Sequence, residues 1–534
     1  MRIALATMTA LSLVGSVYAT PFVLPKQLPP NHGNRTGFGA DTAIDGAWAA
    51  VSSRRTGSGA DVAPSSVSLF EQDGGSWRET TKLFKPASLT LASRSSVFFG
   101  DKIDLDDEWL VVGDYQHSRR DSLLSPELNS AGLVSVYRRT GGSWANAVNL
   151  VGSVAGAGLG VDLAVDGGTL VGVRRGRHGC CSAAVAGQAY VYDLGLTDAG
   201  APTGSTIAAN AGQPLVINDP DPGPIWSTSN MKAAISGDTI VLAATSWNDY
   251  SDGRGGKAFV FERSAAGWTH TASIEDVAEV TLYASFGSDI ALDGDTLAIA
   301  NGSNEYRASD RDSVLIFERN HGGPDNWGLV ETVTRREAGA AFCFACGEID
   351  LVGDTLVVGE RGDLRHGTAH VFQRDAGGED NWGKVQFIKQ EDVGLTCDTC
   401  EGFINEQQFS HSVALDDHGQ MLVASPFFNS DQDAVVQLTL GTDGDYNRDG
   451  VVDASDYLVL KESFGQTRPG LPADGNNNGM IDAGDFTIWR DNLGRAIGSA
   501  TSASVATAPE PGAACLAAVL ILAGYPHICR SSRR

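Results

Sequence analysis

Positive charge is scarce in this sequence relative to negative. Its 534 residues hold 39 Lys and Arg against 65 Asp and Glu, a formal charge of −26. An acidic surface repels phosphate, so nucleic acid is not an expected partner. Signatures of common catalytic sites are also missing. No Gly-x-Ser-x-Gly nucleophile elbow and no His-Glu-x-x-His pair occurs. His178, His366, His370, His411 and His418 are scattered, as surface or packing residues are. A glycosidase needs two convergent carboxylates beside an open cleft, whereas most Asp residues here fall in repeating turns such as Asp293-Gly294, which read as hairpin chemistry. The expectation is a non-enzymatic protein. The alternative is a secreted carbohydrate-active enzyme, a glycoside hydrolase or lyase with its site in a central channel that no motif need announce.

No apolar run reaches the roughly 20 residues of a membrane-spanning helix. Two shorter runs lie at the ends. Arg2 precedes the apolar stretch Ile3–Val17, and Val17 and Ala19 fit the small-residue positions before a cleavage site. Residues 1–19 read as a signal peptide, with export to the cell surface or medium; a buried N-terminal element is the alternative. At the other end, Pro509-Glu510-Pro511 leads into the apolar run Ala513–Tyr525 and a basic tail ending in Arg533 and Arg534. Residues 509–534 resemble the PEP-CTERM sorting signal of bacterial exported proteins, departing from it in a short helix and in Pro526. The resemblance implies transient membrane contact and removal by an exosortase-type processing enzyme; a weak tail anchor is the alternative. Residues 495–508, rich in Ala, Ser and Thr, form a flexible linker before it.

Glycine is abundant, at 64 residues, while aromatics stay at 8%. That mixture suits short strands joined by tight turns. Between Phe38 and about Leu440 one pattern returns seven times, starting at Phe38, Phe99, Leu159, Met231, Phe286, Cys346 and Phe409. An aromatic or apolar residue, often with Gly, opens an alternating strand; an Asp-Gly-type turn follows, then a strand of small and β-branched residues. A variable loop leads to a third strand, a turn, a Trp such as Trp144, Trp268, Trp327 or Trp382, and a fourth strand. Period-two alternation in a repeat of four strands predicts an all-β fold, a seven-bladed β-propeller over residues 20–441. The small residues of the second strands are expected to let the blades crowd the axis, and each Trp to pack between neighbouring sheets. The seventh copy stops after its third strand, so the segment Pro21–Leu28 is expected to supply the missing edge strand. The repeats resemble the FG-GAP family of integrin-like and bacterial secreted propellers. Its blade calcium loops are not matched: Asp249 and Asp252 are three apart, and Asp310 and Asp312 lack a following Gly. The loops 115–130 and 246–255 are the expected elements for recognising a glycan or surface protein.

Of eight Cys, Cys515 and Cys529 lie in the C-terminal tail. Cys343 with Cys346 and Cys397 with Cys400 form two Cys-x-x-Cys pairs, beside adjacent Cys180 and Cys181. Disulfides suit an exported chain; a four-thiolate zinc site and redox chemistry are the alternatives.

The sharpest pattern lies near the C-terminus. DYNRDGVVDASD (Asp445–Asp456) and DGNNNGMIDAGD (Asp474–Asp485) are twelve-residue loops with acids or amides at positions 1, 3, 5, 9 and 12 and Gly at position 6. This is calcium-loop spacing. The ligands read are Asp445, Asn447, Asp449, Val451 through its carbonyl, Asp453 through water, and Asp456. The second set is Asp474, Asn476, Asn478, Met480 through its carbonyl, Asp482 and Asp485. Asn478 stands where the first loop has Asp449, so the second loop should bind Ca2+ more weakly. Each loop is followed by an amphipathic helix and preceded by none, and position 12 is Asp rather than the EF-hand Glu. Residues 442–494 therefore closely resemble the type I dockerin domain. That resemblance implies calcium-dependent binding to a cohesin-like domain through Ala454, Ser455 and Lys461 in one half and Ala483, Gly484 and Arg490 in the other. Gly484 departs from the usual hydroxyl or aliphatic residue. A third possibility is that the module only braces the propeller.

Overall fold

The computed structural model describes residues 22–23, 37–54, 64–73, 76–86, 89, 98–120, 127–176, 187–195, 205–208, 211–219, 231–245, 256–275, 286–302, 312–334, 347–360, 367–378, 381–393, 409–426, 433–439, 444–447, 451–467, 473 and 480–494. Residues 1–19, 495–508 and 509–534, read above as signal peptide, linker and sorting signal, and all eight Cys lie outside these residues. The chain divides into two compact units, a larger one running to Thr442 and a smaller one taking in Asp443–Asn447 and Val452–Arg495.

The larger unit is an all-β, seven-bladed propeller with seven separate sheets. Blade 5 shows the plan. Strands Phe286–Asp293, Thr296–Asn301, Ser313–Arg319 and Trp327–Thr334 pair antiparallel in sequence order. Blades 1, 4 and 6 repeat it, beginning at Phe38, Met231 and Ile349. Blades 2 and 3 depart from this plan, with five strands in the sheet of blade 2 and a shortened fourth strand in blade 3. After the third strand of blade 3, Gln188–Asp193, the segment Ser205–Ala208 reaches back to pair parallel with Ser143–Val151 of blade 2, giving that sheet a fifth strand. The fourth strand of blade 3 is only Gln213–Pro214, and no Trp opens it. Gln213 instead exchanges hydrogen bonds with the backbone of Trp268 in blade 4, at 3.1 and 3.3 Å.

Blade 7 is completed from the other end of the chain. Phe22–Val23 pairs antiparallel with Ala434–Thr439, Phe22 opposite Gln437 and Val23 opposite Val436. An edge whose N–H and C=O groups would invite foreign strands is thereby covered, and the ring is closed as the strand count required.

The first strands, not the second, line the axis. The second strands, for example Thr239–Ala244 and Thr296–Asn301, are buried along their whole length. Their small residues serve the approach of the next blade's first strand. Gly287, with φ +83°, shows why: a Cβ there would lie 2.7 Å from Ala243 Cβ of blade 4. The repeated aromatic-Gly pair thus combines a buried anchor, Phe286, with a residue that permits both positive φ and close approach. The Trp residues pack between blades as expected: Trp144 beside Trp48 of blade 1 at 5.6 Å between rings, Trp327 within the blade 4 side chains, Trp382 within those of blade 5.

The smaller unit has two helices, α1 (Ala454–Ser463) and α2 (Ala483–Asp491). Its core gathers Tyr446, Val452, Leu460, Ala473, Ile481 and Trp489. Tyr457 of α1 meets Phe486 and Trp489 of α2, with centroids 6.1 and 5.1 Å apart. Gly444, φ +96°, lets the incoming chain lie against α2: a Cβ there would be 2.8 Å from Trp489 Cα. Among the described residues no helix is long and apolar enough to cross a membrane.

Candidate functional site

Each loop of the smaller unit ends as the start of a helix, and the same aspartates do both jobs. Asp453 is the N-cap of α1; its Oδ1 accepts from the Ser455 N–H and hydroxyl, both at 2.6 Å. Asp456, three residues on, accepts the Asp453 N–H at 2.7 Å and the Asn447 N–H at 2.9 Å. The second half repeats this box: Asp482 caps α2 through the Gly484 N–H at 2.7 Å, and Asp485 accepts the Asp482 N–H at 2.7 Å. Reciprocal capping satisfies amide donors that a helix start leaves over. It also turns both position-12 carboxylates inward: Asp456 and Asp485 are 0% exposed.

Of the predicted ligands, Asp445 is buried, Asn447 half-buried, and Val451 and Met480 exposed. Asn447 Nδ2 also donates to Ser455 Oγ at 2.6 Å, bracing the loop against the helix it precedes. Asp449, Asp474, Asn476 and Asn478 lie outside the described residues. The donors present fit a hard divalent cation: carboxylate, amide and carbonyl oxygens, without sulfur or imidazole. The exposed Asp453, occupied as a helix cap, suits a contact through water rather than a direct one. Ala454 and Ala483 at the helix starts, and Lys461 and Arg490 in the last turns, are exposed; Ser455 and Gly484 are partly covered.

A second site, which the motifs did not announce, lies on the propeller axis. The first strands enclose a cavity of about 440 Å³ lined at one register position by Asp41, Lys102, Asp162, Asp289 and Glu348; Lys232 and Ser412 hold the equivalent position in blades 4 and 7. Lys232 bridges Asp162 at 3.7 Å and Asp289 at 3.2 Å. Lys102 pairs with Asp41 at 3.3 Å and also with Glu348 of blade 6. Burial, and then the neighbouring Glu348, push the Asp41 carboxyl well above its usual range. Burial also acts upward on Glu348, yet Lys102 and Lys232 hold it at about 2. The ring acids bind the next blade's backbone as well: Asp41 takes the Ile103 N–H at 2.6 Å, Asp162 that of Ala233 at 2.8 Å, and Asp289 that of Ile349 at 2.9 Å.

Two residues along, only blades 2 and 6 carry a carboxyl. Burial raises both Asp104 and Asp350 to about 7, although Asp104 accepts the Val165 N–H and Asp350 the Leu415 N–H, each at 2.7 Å. Two further residues on come Asp45, Asp106, Asp166, Asp293 and Asp416. The Asp-Gly turns are therefore more than hairpin chemistry: Asp166 accepts the Gly237 N–H and Asp293 the Gly353 N–H of the following blade, both at 2.5 Å. At this mouth Asp416, Asp417 and His418 place possible metal-ligating atoms within 4.8 Å of one another. Aligning the seven copies would have exposed these layers; a search for isolated motifs could not. Of the other histidines, His370 is a packing residue, buried with Nε2 2.9 Å from Glu360; His178 and His366 lie outside the described residues.

Residues 443–494 match the dockerin type I domain family. No curated protein matches the chain. Among solved structures the chain is similar to a functionally unknown protein from Desulfotomaculum acetoxidans, at 14% identity and TM-score 0.36, covering 69% of this chain and 95% of that one. It is also similar to Sqt1 of Chaetomium thermophilum, at 12% identity and TM-score 0.40, covering 78% and 97%. The chain thus joins a seven-bladed propeller to a C-terminal dockerin type I domain.

Proposed function

We propose that this chain is an exported, non-catalytic binding protein. Its propeller, of the FG-GAP type, presents a protein or glycan interaction surface, and its dockerin module fastens it through calcium to a cohesin-like domain. The observation that carries the reading is the pair of helix-capped loops, each ending in a fully buried aspartate, inside the segment that matches the dockerin family. Bound Ca2+ would supply the positive charge that such buried carboxylates require. Exposed Ala454, Ala483, Lys461 and Arg490 leave the helix faces open to a partner. Cleavage after Ala19 and sorting through 509–534 complete the proposal and place the protein outside the cell.

The test is binding of the mature chain to immobilised type I cohesin domains in calcium and in excess chelator. Capture that chelator abolishes is expected. A chain that binds no cohesin, or binds equally without calcium, would leave the module without this role.

A further inference from the structure

The two loops are tied to each other by side chains that cross between the halves. Tyr446, position 2 of the first loop, donates its phenol to the backbone carbonyl of Asp485, position 12 of the second, at 2.6 Å. Trp489, on α2 four residues after Asp485, donates its indole Nε1 to the carbonyl of Asp453, position 9 of the first loop, at 2.7 Å. Tyr446 is 4% exposed and Trp489 9%. Their counterparts by the internal repeat, 29 residues away, are Gly475 and Leu460. Neither has a side-chain donor, so the crossing bonds are not a by-product of duplication.

Each bond ends on a residue whose own backbone sets a position-12 carboxylate. Trp489 holds the peptide of Asp453, whose N–H goes to Asp456 Oδ2. Tyr446 holds the carbonyl of Asp485 itself, while sitting between Asp445 and Asn447, positions 1 and 3 of its own loop. An ion held by Asp445 and Asp456 would fix Tyr446 and hence Asp485; one held by Asp485 would fix the start of α2, Trp489 and hence Asp453. We propose that Tyr446 and Trp489 are positioning residues that couple the two calcium loops, so that filling one raises the affinity of the other. This rests on the calcium reading given above. Coupling of this kind acts equally in both directions.

The experiment is calorimetric titration of CaCl2 into the full mature chain, with and without Asp474→Ala to disable the second loop, in two backgrounds: native and the Tyr446→Phe, Trp489→Phe pair. In the native background Asp474→Ala should weaken calcium at the first loop by about 5-fold or more, the lower end of typical coupling. In the doubly substituted background the same change should move it by less than about 2-fold. Bonds that only stabilise the fold would lower both affinities and leave the ratio intact. An unchanged first loop in the native background, or an equal loss in both, overturns the coupling while the calcium reading stands. A native chain that binds no calcium overturns both. Should the paired substitution disturb helix content, Tyr446→Phe alone, which keeps the ring, must still reduce the ratio.

Discussion

Single side chains on the axis decide how the propeller responds to pH. Asp104 and Asp350 sit at about 7 in the folded chain against an ordinary 3.8. A carboxyl raised by burial keeps its proton longer when folded, so folding is penalised above pH 7 and the penalty is relieved as pH falls toward 4. The melting temperature is therefore expected to rise between pH 8 and 5.5. Asp104→Asn with Asp350→Asn should raise it at pH 8 and flatten that rise; scanning fluorimetry across the range checks this, and an unchanged slope would refute it. Glu348, held at about 2 by Lys102 and Lys232 after burial is set against them, contributes stability that is lost only well below that window. Nothing in an isolated Asp-rich sequence distinguishes these carboxyls. Asp104 becomes special because blades 1, 3, 4, 5 and 7 offer Ala43, Ala164, Ala234, Ala291 and Ala414 at the same register.

A second residue pattern links neighbouring blades. Arg374 of blade 6 pairs with Asp354 at 2.7 Å and with Glu318 of blade 5, donates to Thr296 Oγ1 at 2.9 Å, and lies 5.1 Å from the Trp382 ring centroid. Arg319 repeats this one blade earlier, with Asp295 at 2.6 Å, Glu262 and Thr239 each at 2.5 Å, and Trp327 at 4.9 Å. Arg374→Ala should cost roughly 1–3 kcal/mol in denaturant unfolding, the range for losing several charge-assisted bonds and a stacked cation at a partly exposed site. Arg374→Lys should recover less than half, because an ammonium cannot present the planar fork; full recovery would show that charge alone matters.

Among elements, the strands were the most legible. Period-two alternation, with a Trp after the third-strand turn in several copies, placed seven repeats, and the missing edge of the last one pointed to the N-terminal segment that pairs as Phe22–Val23. The role of the second strands was misplaced, because small residues signal close approach without saying to what; Gly287 against Ala243 shows it is the neighbouring blade. The excursion Ser205–Ala208 was not foreseen, since a four-residue parallel edge strand carries no pattern of its own. Removing residues 20–28 should lower the unfolding midpoint and promote association through the bared edge of Ala434–Thr439. Light scattering and thermal melts of the truncated chain check this; a monomer of undiminished stability would mean that Phe22–Val23 is dispensable.

At the scale of the whole molecule, two units divide the chemistry. The propeller offers an axial cavity at which Lys102, like Lys232 at the equivalent position, is committed to carboxylates, and the dockerin module offers loops whose aspartates cap the helices that follow. The segment was legible because acids, amides and Gly recur in it at a fixed spacing, twice. What its helices expose and how the halves cross-link depend on burial, which spacing does not encode. The central claim is that calcium builds the docking module. It is tested most directly by calorimetric titration of calcium into the mature chain beside the Asp445→Ala, Asp474→Ala variant. Two bound ions that vanish in the variant are expected; no binding, or binding that the variant retains, would contradict the account.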